Sequence, residues 1–276
     1  MGRKLFCDIS PACYKISVWK CCRIREIKDF FSREKFAAQK SSDLLPNVVK
    51  GHTSVLVRRL AGVDLRLQEN KVTNIALAAA KINGIIVRPG ETFSFWRTVG
   101  KTAEKQGYKE GLVIHRGGKL GSGIGGGLCQ MANMVHWLVL NSPLTVTELH
   151  HHSDALFPDE RRRVPFGTGT SVLNNYIDYR FKNTTGQTVQ LVTWIEDGEL
   201  YGELRSEHQY PCRYKLYEEG NRFVEENGKW YRLSKVWRSV IDRATGEELR
   251  RELILDNHSL VMYDPVLIPP EQISKE

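Results

Sequence analysis

Apolar residues recur at helical spacing in three stretches of the chain, and elsewhere they run in short blocks cut by turn residues. Over 14–40, Ile16, Trp19, Ile27, Phe30 and Phe31 return at near-helical intervals with Lys and Arg between them, which predicts a helix. Residues 41–53 read as a connection, and 55–60 as a strand or a helix end. Over 72–82, Ile75, Ala76, Ala79 and Ile82 share one face, and Asn83-Gly84 supplies the stop. The third helix covers 128–140, an apolar run that follows seven glycines and ends at Asn141-Ser142-Pro143.

Between and after these helices the pattern is extended. Residues 85–87 predict a buried strand broken by Pro89-Gly90; 92–96 and 112–115 predict strands around a loop or short helix at 100–111, and 146–152 extends again. A β-meander follows over 176–181, 189–195 and 200–204, with Asn183-Thr184-Thr185-Gly186 and Glu196-Asp197-Gly198 as turns. Short aromatic strands at 214–217, 230–233, 236–241, 253–255 and 260–263 complete the tail, with Asn227-Gly228 and Thr245-Gly246 as turns. The expected class is α+β: a mixed core with a helix starting at a Gly-rich loop packed on a β-sheet, then a β-rich C-terminal extension. The corresponding division is a basic helical leader (1–50), an α+β core (51–205) and the extension (206–276).

Charge sharpens this division. The 276 residues carry a net +8, and residues 1–50 alone hold 11 basic and 5 acidic side chains. The excess belongs to the leader, which argues against the main domain as a nucleic-acid binder. Two readings of the leader stand open: a helix docked on the core, or a basic amphipathic helix in peripheral contact with an acidic lipid surface. No apolar run approaches the roughly 20 residues of a membrane span, and the N-terminus lacks the pattern of an export signal. The sequence therefore predicts a cytoplasmic protein, peripheral to the membrane where the leader makes that contact, with reduced thiols. Cys7, Cys13, Cys21 and Cys22 form no zinc or cluster spacing and receive no role.

The candidate chemistry gathers at Gly125-Gly126-Gly127-Leu128-Cys129-Gln130. Three consecutive glycines cost chain entropy, so they mark a sharp bend or a close backbone approach. The predicted helix begins just after them, which puts Cys129 among free N–H groups at the positive end of a helix dipole. Such a site favours a thiolate nucleophile and can hold an oxyanion, with Gln130 or the backbone near 127–130 as donors. The opposing reading is that Cys129 is a small core residue. Gly121-Ser-Gly123-Ile-Gly125-Gly126 satisfies G-x-G-x-x-G formally, but it lies too far from the preceding strand and no further βαβ units follow, so no dinucleotide cofactor is expected.

A thiol nucleophile wants a base. His136 lies two helical turns along from Cys129, roughly 10 Å away. His150 and His152 would share one face of a strand and are the better candidates, with Asp154, Asp159 or Asp178 as a carboxylate to orient the base. Asp178 also shares a strand face with Arg180, and pairing between those two is the bland alternative. A zinc set of Cys129, His150 and His152 is a third arrangement that the residue types permit.

Four blocks, in order, then carry a resemblance: Asn83-Gly-Ile-Ile-Val-Arg-Pro-Gly-Glu-Thr-Phe-Ser-Phe, Gly125-Gly-Gly-Leu-Cys-Gln, Glu148-Leu-His-His-His-Ser and Asp178-Tyr-Arg-Phe-Lys-Asn. Over about residues 70–205 the chain resembles the VanW family, named for an accessory protein of vancomycin-resistance gene clusters. The resemblance places Cys129, Gln130, His150 and His152 on signature positions. It implies a link to glycopeptide resistance or cell-wall metabolism, with a peptidoglycan precursor or peptide as partner. Where many members carry Asp-Ala-Thr-Val, this chain has Gly169-Thr-Ser-Val, so Asp178 would have to stand in for that Asp. Two functions follow: a Cys-dependent acyl-transfer or amidase-type enzyme, with Gly125, Gly126 and Gly127 in the binding loop, or a non-enzymatic binding domain in which Cys129 is structural.

Overall fold

A computed structural model describes residues 5–57, 64–114, 120–151, 154–156, 158, 164–173 and 176–274. In chain order its elements are α1 (Pro11–Phe31), β1 (Lys35–Phe36), β2 (Asn47–Val55), α2 (Leu65–Ile82), β3 (Ile85–Val87), β4 (Glu91–Ser94), α3 (Phe95–Val99), β5 (Glu110–Ile114) and β6 (Leu120–Ile124). Then come α4 (Cys129–Leu140), β7 (Thr145–Glu148), β8 (Asp154–Ala155), β9 (Arg180–Lys182), β10 (Val189–Glu196), β11 (Glu199–Ser206), β12 (Cys212–Glu226), β13 (Lys229–Asp242) and β14 (Glu248–Val261). The class is α+β and rich in strands.

The core forms where α2 and α4 lie on a sheet of order β2-β11-β10-β3. Ile75, Ala78, Ala79 and Ile82 of α2 meet Leu191 and Val189 of β10 and Met131, Val135 and Leu138 of α4 in one buried cluster. Gly202 on β11 permits the close approach of α4, since a Cβ there would come within 2.7 Å of the Met134 side chain. A second sheet, β1-β4-β9-β7, stacks Phe93 on Phe181 at 5.1 Å and adds Tyr179 to the same cluster. Strand pairing also carries residues 35–36 of the charged leader, and 47–55 across its end where a connection was expected, into these two sheets.

The β10–β11 turn is built as its Asp-Gly sequence requires, with Asp197 at φ 48° and Gly198 at φ 76°. Asn227 and Gly228 repeat that geometry between β12 and β13. The five short tail strands of the sequence reading are segments of three long ones: β12, β13 and β14 pair antiparallel, and β8 adds parallel to β14. Polar residues inside these strands interrupt the alternation without breaking the ladder, and bulges between Glu219 and Arg222 and between Val236 and Trp237 absorb the register shifts.

Three other boundaries move for identifiable reasons. Helix α2 begins a full two turns early, capped by Asp64, whose carboxylate accepts the Arg66 N–H at 2.9 Å. The extended stretch expected over 92–96 stops at Ser94, because the Ser94 hydroxyl caps α3 through the Arg97 N–H. The strand expected over 146–152 ends at Glu148, where the side chain turns into a network of charges described below.

Candidate functional site

The hairpin β5–β6 delivers the glycine run to the start of α4. Gly125 N–H donates to the Lys109 carbonyl at 3.0 Å, and the Gly126 carbonyl accepts from Asn74 Nδ2 of α2 at 2.9 Å. A Cβ on Gly126 would lie 2.2 Å from the Gly111 backbone, and one on Gly127, at φ +93°, would lie 2.1 Å from the Lys71 side chain. Thr102 takes the place of a side chain at Gly125, β5 at Gly126 and α2 at Gly127, so the three glycines form a packing joint. Gln130 does not aim a donor at an oxyanion: its Nε2 donates to Ser54 Oγ and the Val55 carbonyl, both at 2.8 Å, and ties α4 to β2.

Cys129 opens α4 as expected, partly buried against the core cluster. Its Sγ donates to the Val172 carbonyl at 3.6 Å, and among the described residues it has no imidazole partner. Burial pushes this thiol above its ordinary range, outweighing the opposite pull of the backbone N–H groups of Val172 and Cys129. The helix dipole is present, but removal from water dominates.

The histidine segment approaches from the other side of the same strip of chain. The His150 carbonyl accepts the Ser171 N–H at 2.7 Å, and Thr170 N–H donates to Asn133 Oδ1 on α4 at 2.7 Å. Cys129 and His150 therefore share residues 170–172 as a neighbour, yet the His150 ring turns away, with Nε2 2.9 Å from Glu148 Oε1. His152 lies outside the described residues. His136 is a core residue: Nδ1 meets the Tyr179 hydroxyl at 3.2 Å, and burial, aided by His151, drives its pKa down to about 3.

Asp178 does not orient any imidazole among the described residues. It is fully buried and accepts from Ser94 Oγ at 2.5 Å, Trp96 N–H at 3.0 Å, Tyr179 N–H at 2.9 Å and Arg180 Nε at 2.7 Å. The bland alternative, a pair with Arg180, is what forms. Arg180 then grips Asp29 of α1 with both Nη atoms at 2.7 Å, and its guanidinium lies 5.1 Å from the Phe36 ring. In parallel, Arg25 of α1 grips Glu148 with both Nη atoms, at 2.7 and 2.6 Å, and donates to the Tyr176 carbonyl. Glu148 is pulled both ways. Desolvation favours its neutral form, but the bonds from Arg25 and His150 win and hold its pKa below the ordinary carboxylate value.

Three of the four sequence blocks thus converge on one half-buried charge network that clamps α1 to the core. Sequence reasoning named Asp178, its pairing with Arg180, and His150, but missed Glu148, Arg25 and Asp29 as members of the network. Glu148 heads its own block and Arg180 lies two residues from Asp178, so both were visible as motif positions, whereas their partners on α1 lie more than a hundred residues away. Among the described residues no three His, Cys, Asp or Glu side chains gather closely enough to hold a metal ion.

A family model described as "VanW like protein" matches residues 70–205. The vancomycin B-type resistance protein VanW of Enterococcus faecalis is 33% identical over 219 residues, which is 79% of this chain and 79% of that protein. The uncharacterized protein YoaR of Bacillus subtilis is 33% identical over 116 residues, 42% of this chain and 36% of its own length. No solved structure matches.

Proposed function

Because the chain belongs to the VanW family, we propose that it is an accessory protein of vancomycin-type glycopeptide resistance that works by non-covalent recognition, with Cys129 as a structural residue. The carrying observation is the Cys129 environment: its sulfur donates to the Val172 carbonyl, and burial favours the neutral thiol. Among the described residues, the other candidate parts of a thiol enzyme are engaged elsewhere. His150 is held by Glu148, Asp178 by Arg180 and backbone N–H groups, and Gln130 by β2. A nucleophile needs an adjacent base within about 3 Å, or at least free to move there. The partner class we propose is a peptidoglycan precursor or peptide, in keeping with a role in glycopeptide resistance.

The test is Cys129→Ala in a host whose glycopeptide resistance depends on this protein, with folding of the variant checked by its thermal transition. Retained resistance is the expected outcome. Lost resistance from a variant that folds normally would mean that the sulfur does chemistry, and the Cys-dependent enzyme would replace this reading.

A further inference from the structure

Helix α1 is clamped by one face and bare on the other. Val18, Cys22, Arg25 and Asp29 lie toward the core, and Arg25 and Asp29 make the ion pairs with Glu148 and Arg180. No residue of this 21-residue helix is buried. At 3.6 residues per turn, Ile16, Trp19, Arg23, Ile27 and Phe30 follow one another along a face turned away from that clamp. Trp19 is 64% exposed, Phe30 82% and the adjoining Phe31 77%. The apolar path continues ahead of the helix through Leu5, Phe6 and Ile9, each more than half exposed. Large aromatic and aliphatic side chains in such a row are not ordinary surface.

We infer that this face of α1 seats the protein on an anionic lipid surface. The charge pattern selects that occupant over an apolar groove of a partner protein. Residues 1–50 carry 11 basic against 5 acidic side chains. Two of the acids are occupied internally, Asp29 by Arg180 and Glu34 by Lys182. Glu26 is paired with Arg23 at 2.6 Å, which leaves Lys15 and Lys20 exposed beside Trp19. Basic residues flanking a Trp/Phe/Ile face are the composition of a helix lying in the headgroup plane, its apolar side buried at the acyl boundary. The helix itself is too polar to cross the bilayer, and no helix among the described residues is long and apolar enough to do so. The clamp fixes α1 on the molecule, so binding need not order it first, which lowers the entropic cost of docking.

Co-sedimentation of the full chain with vesicles of phosphatidylcholine plus phosphatidylglycerol, and of phosphatidylcholine alone, tests the inference. Binding to the anionic vesicles, weakened by salt and absent from the neutral ones, is expected. Trp19→Ser with Phe30→Ser should lower the partition coefficient by at least about tenfold through lost apolar burial. Lys15→Glu with Lys20→Glu should do so by a similar factor through lost attraction to the anionic surface. All four sites are exposed, and circular dichroism of the variants is to check that they retain their helices. Failure of the wild-type chain to bind anionic vesicles overturns the proposal. So does binding that both double variants leave unchanged, or a concentration-dependent dimer that Trp19→Ser with Phe30→Ser dissolves.

Discussion

Replacing Glu148 by Gln should loosen the docking of α1 while leaving the core folded. Glu148 receives two charge-assisted bonds from Arg25 and stands within hydrogen-bond distance of His150 and the Asp178 N–H. The Arg25 and Glu148 side chains are 22% and 18% exposed, between a surface pair worth up to about 1 kcal/mol and a buried one whose disruption costs about 3–5 kcal/mol. Gln keeps one acceptor oxygen but loses the charge, so the cost to docking is about 2 kcal/mol, or roughly 30-fold in the undocked population at 1.4 kcal/mol per tenfold. Because α1 buries no residue, the Asp29–Arg180 pair and the Arg25 bond to the Tyr176 carbonyl are what still hold it, and a free helix of this kind is marginal in water. Hydrogen exchange resolved by peptide should show α1 amides exchanging roughly 30-fold faster, with α2 and β10 unchanged. Unchanged α1 exchange would refute the clamp, and equal loss of protection in α2 would show that Glu148 holds the core itself.

Other consequences are equally specific. Gly126→Ala places a methyl 2.2 Å from the Gly111 backbone and should cost several kcal/mol by denaturant unfolding, about the scale of a severe packing clash, whereas Gly186→Ala, with nothing within 4 Å, should be neutral or slightly stabilising. Equal effects at the two positions would remove the packing account of the glycine run. His136 is held neutral with a pKa of about 3 against 6.5 in the unfolded chain, so the unfolded state takes up the proton first as pH falls. Stability should therefore decline below pH 6.5 by up to about 1.4 kcal/mol per pH unit, and His136→Gln should flatten that slope; an identical slope in the variant would contradict it. Glu148, shifted the other way, contributes clamp stability that is full above the ordinary carboxylate value near 4.5 and is lost as pH falls through its lowered pKa. Release of α1 on acidification should appear only in that more acidic range, as a rise in its amide exchange.

Local pattern was enough for the class, for several helix ends and for two hairpin turns of this chain, and insufficient for its charge network. The period of Ile75, Ala79 and Ile82 and the Asn83-Gly84 stop place α2's end, and Asp197-Gly198 and Asn227-Gly228 place two turns, because each depends on neighbours in sequence. The apparent gaps in the tail strands reflect polar residues on strands that one sheet covers unevenly, which alternation alone reads as breaks. Cys129 at a helix start was correctly located, but its chemistry depends on the Val172 carbonyl and on burial, both set by chain 43 residues downstream. Glu148 meets Arg25 across 123 residues, a separation at which spacing carries no signal.

The central claim is that Cys129 is kept neutral. Iodoacetamide labelling of the native protein across a neutral-to-alkaline series, read peptide by peptide in a mass spectrometer, measures it directly. Cys129 should label more slowly than exposed Cys21 throughout and become reactive only above the ordinary thiol range. Faster labelling of Cys129 than of Cys21 at neutral pH would contradict the account.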